Sequence, residues 1–154
     1  MTNLSHVNGV KSAVSDQIHF IKVTIPSSTA KAREVQDKKK KKLHGTDCGE
    51  RDLFSIKLAL EEALVNAIKH GNQLDPAKSV HIEYGVWKDR FEILIQDEGP
   101  GFNPADVPDP TAIENLDRPC GRGLMLMRYY MTEVDYNTTG NAVSLKKVFK
   151  PTEG

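Results

Sequence analysis

The stretch LALEEALVNAIKHGN, Leu58 to Asn72, decides how the rest of this chain is read. It is built of strong helix formers, and Ile56, Leu60, Ala63, Leu64 and Ala67 recur at the spacing of one buried helix face. At about 100° per residue a second face emerges, on which Glu62, Asn66 and His70 fall in one stripe. Only the small Ser55 and Ala59 share that stripe. A carboxylate and a carboxamide thus stand one turn apart with nothing bulky over them. An Asn inside a helix is costly relative to Ala and calls for a reason. It can be a cap on a neighbouring loop or a ligand, and the helix alone leaves both readings open.

The chain around this helix has 154 residues, enough for one domain with a real core. Its 21 Lys and Arg balance 21 Asp and Glu, which argues against a general nucleic-acid binder. Cys48 and Cys120 lie far apart without metal-ligand spacing, so free thiols in a reduced cytoplasmic setting are expected. No apolar run reaches the length of a membrane span and the N-terminus carries no signal pattern, so no membrane association is expected.

Residues 1–15 read as a loose arm and 16–150 as a single domain. Gln17 to Ile25 alternates as a strand that Pro26 stops, and Ser27 or Ser28 caps a helix running to Lys42 with Ala30, Ala32 and Val35 inward. The lysines 38–42 read as its solvated end, an anion-binding patch being the alternative. The central helix is expected from about Arg51 to Gly71, closed by Gly71-Asn72. Ser79 to Trp87 and Arg90 to Gln96 form a hairpin with one covered face. A Pro- and Gly-rich segment from Asp97 to Gly121 follows, then a helix from Gly123 to Met131 and a last hairpin, Thr132 to Tyr136 with Ala142 to Val148. About five strands and three helices give an α+β, two-layer sandwich, with helices on one face of a mixed, mostly antiparallel sheet.

Two further segments carry chemistry. Asp97-Glu98-Gly99-Pro100-Gly101 sets an acceptor-only carboxylate at a strand end beside two glycines, which let a flat ligand approach the backbone. Such a carboxylate can accept the exocyclic amine of adenine, although an ordinary turn has the same composition. Cys120-Gly121-Arg122-Gly123-Leu124 runs into a helix, where free N–H groups and the positive dipole end suit phosphate. Neither a Rossmann fingerprint nor a P-loop is present. Magnesium keeps several waters and needs few protein oxygens, so the Asn66 carbonyl with phosphate oxygens would suffice, and Glu62 one turn earlier could accept a hydroxyl proton.

These motifs carry a resemblance. EALVNAIKHGN resembles the N box, DEGPG the first glycine box and GRGL the second glycine box of the GHKL ATPase superfamily, which includes gyrase, MutL and the histidine kinases. Within it the chain is most similar to the small anti-sigma-factor serine/threonine kinases of the SpoIIAB and RsbW type. The resemblance implies a Bergerat ATP-binding fold holding ATP and Mg2+. It implies Asn66 as metal ligand, and Asn66, Lys69, His70, Asp97, Gly99, Gly101, Gly121, Arg122, Gly123 and Leu124 around the nucleotide. Glu62 would be the catalytic base. The Leu116-Asp117-Arg118 triplet is similar to the Leu-Glu-Arg of that group, making Arg118 the arginine of partner contact and phosphate chemistry, with Arg122 as the alternative. The implied reaction is phosphorylation of a serine on a STAS-type anti-sigma-factor antagonist, alternating with sequestration of a sigma factor, in a homodimer. The competing reading is an ATP-binding module that sequesters a partner without phosphoryl transfer.

Overall fold

The structure, a computed structural model, describes residues 20–101 and 119–150, without the side chains of 119–123. Strand β1 (Ile21–Pro26) leads to helix α1 (Thr29–Lys42) and helix α2 (Glu50–Val65), which runs on into a π-helical turn (Asn66–Gly71). Strands β2 (Ser79–Val86) and β3 (Arg90–Gln96), helix α3 (Pro119–Tyr130) and strands β4 (Glu133–Tyr136) and β5 (Ala142–Val148) complete the order. The N-terminal arm and the segment 102–118 lie outside the described residues.

The five strands form one sheet in the order β1-β2-β3-β5-β4, and all four pairings are antiparallel rather than mixed. Topology supplies the reason. Two helices between β1 and β2, one down and one up, return the chain to the end at which β1 finished, where Pro26 pairs with Ser79, so β2 runs against β1. Strands β3 and β4, separated by one helix, do run the same way, but β5 lies between them. The core forms where alternate strand positions meet one helix layer. Val80, Ile82 and Tyr84 of β2, Phe91, Ile93 and Ile95 of β3 and Leu145 of β5 face Ile56, Leu60 and Leu64 of α2 and Met127 of α3. Each such side chain contributes roughly 1.5–3 kcal/mol on burial.

Four local expectations are corrected. The Ser28 hydroxyl caps α1 by accepting from the Lys31 N–H at 3.4 Å, but Ala30 is exposed and the third inward residue is Lys39. Positions 32, 35 and 39 share one face, so that lysine is carried under the helix and is only 2% exposed, not solvated with the rest of its run.

The central helix changes pitch after Val65. The Asn72 N–H reaches back five residues to the Ala67 carbonyl at 2.8 Å, a widening often found at functional sites. Gly71 does not supply a left-handed cap, because the positive φ values fall on Gln73 (53°) and Leu74 (59°). Helix α3 begins at Pro119, four residues before the expected Gly123, since proline at a first helical position gives up no hydrogen bond.

Candidate nucleotide site

Strand β3 delivers Asp97 to the end of the sheet, where it is buried at 8% exposure. Its own N–H donates to the Asn141 carbonyl at 2.9 Å, and the Gly99 N–H donates to its Oδ1 at 2.8 Å. Burial pushes the carboxyl above its ordinary range, while the Gly99 N–H and the Lys78 charge pull the other way. The glycines around it matter by what they lack. A Cβ at Gly71 would collide with the Asp97 carboxylate, one at Gly99 with the Gly71 carbonyl, and one at Gly101 (φ 80°) with the Thr139 carbonyl. The end of the central helix and the DEGPG turn therefore touch backbone to backbone, and the first two motifs meet in space.

Asn66 opens the π turn, half-buried, with its side chain near enough to the Tyr136 hydroxyl to favour the ionised phenol. Burial pushes that phenol up to about 12, and the Asp97 charge adds to the effect while Arg128 and Asn66 oppose it. Tyr136 thus stands between the carboxamide of the first motif and the carboxylate of the second. Glu62 lies one turn before Asn66, also half-buried. It lines a groove of about 600 Å³ between α1 and α2, whose walls include Arg33, Lys57 and Lys69 over Ala32, Leu64 and Ile68. The helix therefore divides its stripe. Asn66 faces Tyr136, and Glu62 borders the neighbouring groove.

The remaining expected residues are distributed unevenly. Lys69 is exposed on that same groove and His70 is exposed on the π turn, whose wider pitch changes the α-helical spacing that aligned it with Asn66. Leu124 is buried in the core, so only its backbone is open to a ligand role. Gly121, Arg122 and Gly123 lie in the first turns of α3 instead of a loop ahead of it, and the N–H groups of 120 and 121 precede the first i to i−4 bond of the helix. Arg118 falls outside the described residues.

Sequence reasoning missed Asn72, Tyr136 and the His81–Glu98 pair, whose Nε2 and Oε2 are 2.8 Å apart. In the sequence the polar Asn72 directly after the N-box glycine is the one available signal, and Gly71-Asn72 reads there as a helix stop.

The donor set suits a magnesium–adenine nucleotide. Among the described residues no group of three His, Cys, Asp or Glu could hold a metal. A carbonyl such as that of Asn66 added to phosphate oxygens and water is ordinary magnesium coordination. Asp97 offers a buried carboxylate with one oxygen engaged by Gly99, complementary to an amine donor.

The family model of the histidine kinase-like ATPase domain matches residues 25–147, and the chain belongs to that family. Membership in an ATPase-domain family implies ATP binding. Within it, the chain is 33% identical over 105 residues to the serine-protein kinase RsbW of Bacillus licheniformis, a match covering 62% of this chain and 64% of that one. It is 33% identical over 103 residues to RsbW of Bacillus subtilis, with the same coverage. The anti-sigma F factor of Clostridium perfringens is 32% identical over 102 residues, 62% of this chain and 72% of that protein. The chain spans just under two thirds of the length of the RsbW kinases it matches. Among the described residues no helix is long and apolar enough to cross a membrane.

Proposed function

We propose that this chain is an ATP-dependent protein serine kinase and anti-sigma regulatory factor. It phosphorylates a serine on a STAS-type antagonist and, in the alternate partner state, sequesters a sigma factor. The names of its relatives, serine-protein kinase and anti-sigma F factor, support both halves. The observation that carries the reading is the placement of Glu62 one turn before Asn66, on the helix whose far end meets Asp97.

In this reading Asp97 accepts the adenine amine, and Gly99 and Gly101 let the base approach the backbone. Asn66 offers its carbonyl to Mg2+. The first-turn N–H group of α3 at Gly121, with Gly123, the Leu124 backbone and the Arg122 charge, holds phosphate oxygens. Lys69 and His70 flank the phosphates from the π turn. Bound Mg-ATP supplies the phosphoryl group and the cation that offsets its charge. Glu62 takes the proton of the attacking serine hydroxyl, and its place on the α1–α2 groove lets a protein substrate reach it from the side away from Tyr136. Arg118 contacts the partner and the transferring phosphate. A homodimer and cytoplasmic residence complete the proposal, with no direct nucleic-acid or membrane partner.

The experiment is transfer from γ-labelled ATP to candidate STAS domains, run for the parent and for Glu62→Ala. The parent should label a serine, and the variant should bind ATP with little change while transfer falls at least about a hundredfold, the scale of a lost general base. Transfer surviving in Glu62→Ala removes the base assignment. ATP binding and sigma-factor capture without any labelling by the parent would instead support the binding-module reading.

A further inference from the structure

Asn72 is fully buried, yet its side chain spends every polar atom on three separate segments. Its Nδ2 donates to the Ser27 hydroxyl at 3.1 Å and to the Ser79 carbonyl at 2.9 Å, while its Oδ1 accepts the Glu98 N–H at 2.7 Å. The Ser27 hydroxyl in turn donates to the Lys78 carbonyl at 2.8 Å. One carboxamide therefore joins the end of the π turn, the β1–α1 turn, the start of β2 and the DEGPG turn.

The Glu98 N–H belongs to the peptide unit that leaves Asp97, so a bond to it fixes the orientation of Asp97 itself. The preceding peptide is held by the Asn141 carbonyl at 2.9 Å, and the carboxylate by the Gly99 N–H at 2.8 Å. The Glu98 side chain braces the same turn from outside, accepting the Ser79 N–H at 3.1 Å and meeting His81 at 2.8 Å. Of these holds only Asn72 is both wholly buried and directed at the Asp97–Glu98 peptide. A buried acceptor of this kind is costly to lose, because its removal opens a gap beneath the turn and frees the Asp97–Glu98 peptide to reorient.

We infer that Asn72 is the positioning residue that aims the Asp97 carboxylate at the exocyclic amine of the adenine ring. The inference rests on the ATP reading of the site and adds to it a determinant of base recognition at the last residue of the N box, which is not among the residues that the resemblance places around the nucleotide.

The test uses the ratio of affinities for ATP and for purine riboside triphosphate, which lacks the 6-amine and keeps the same phosphates. A general loss of structure weakens both ligands, whereas misaiming Asp97 weakens only the first. In the parent, ATP should bind roughly tenfold to a hundredfold more tightly, as expected for a hydrogen bond to a charged group. Asn72→Ala should bring the ratio to within about threefold of one with little change for the deaminated ligand, and the milder Ser27→Ala should reduce it part of the way. A folded Asn72→Ala with the parent's ratio overturns the inference. So does a parent whose Glu98 amide exchanges with solvent at the rate of an open loop, a measurement that needs no variant. A parent that binds both nucleotides equally, or neither, overturns the ATP reading itself and is distinguishable from both.

Discussion

Replacing Lys39 by Met should make this protein more stable at neutral pH, against the usual expectation that a buried substitution destabilises. Lys39 sits on the inner face of α1, 2% exposed, one turn beyond Val35. Burial lowers its amine from 10.5 to about 8, helped by the Lys40 and Lys57 charges and opposed by Cys48 and Asp37. The Cys48 thiol is itself pushed up to about 11, first by burial, so at pH 7 it is neutral and gives the ammonium no full counter-charge. Each pKa unit is worth about 1.4 kcal/mol, so the drop corresponds to roughly 3 kcal/mol of penalty for folding with the amine charged. Met matches the length of the lysine stem and fills the space without the charge.

Because the folded pKa lies below the unfolded one, the group's favourable contribution is present above 10.5 and lost as pH falls through about 8. Urea unfolding of parent and Lys39→Met should therefore show the variant ahead by about 1–3 kcal/mol at pH 7, with the gap closing between pH 8 and 10.5. A variant no more stable than the parent at pH 7, or a gap that does not change with pH, refutes the argument.

Three other outcomes follow from the site. Asp97→Asn should weaken ATP at least about tenfold and narrow the preference over GTP, because an amide nitrogen would face the adenine amine; unchanged ATP and GTP titrations would remove Asp97 from base recognition. The same variant should gain folding stability at neutral pH. The Asp97 carboxyl is raised by burial, so its favourable contribution exists at low pH and disappears as pH rises through the folded value; thermal melts from pH 4 to 7 report it. Gly99→Ala should cost about 1–3 kcal/mol by driving a methyl into the Gly71 carbonyl, and should lower ATP affinity with it; a melting temperature equal to the parent's would show that the two turns do not pack as closely as described.

The expected strands and helices appear because each rests on local periodicity. Phe91, Ile93 and Ile95 alternate, and Ile56, Leu60 and Leu64 return every turn. Burying those faces against one another leaves little choice but a helix layer on a sheet, and the order of the N box, DEGPG and GRGL placed the family. The boundaries shifted where long-range contacts overrule local preference. Gly71 reads as a helix stop, yet its bare Cα is needed to pass the Asp97 carboxylate, and the left-handed turn moves on to Gln73 and Leu74. Lys39 reads as a solvated cation, yet the helix phase turns it inward.

The sequence alone determined which segments fold, and it singles out Glu62, Asn66 and Asp97 as the groups proposed for the chemistry. Only the tertiary structure decided that Asn66 turns to Tyr136 while Glu62 borders the groove beside α1, and that Asn72 ties four segments to the Asp97 peptide. Periodicity records what a residue does within its own helix or strand. Which residues share a buried hydrogen bond across 26 or 45 positions of chain depends on how those elements stack.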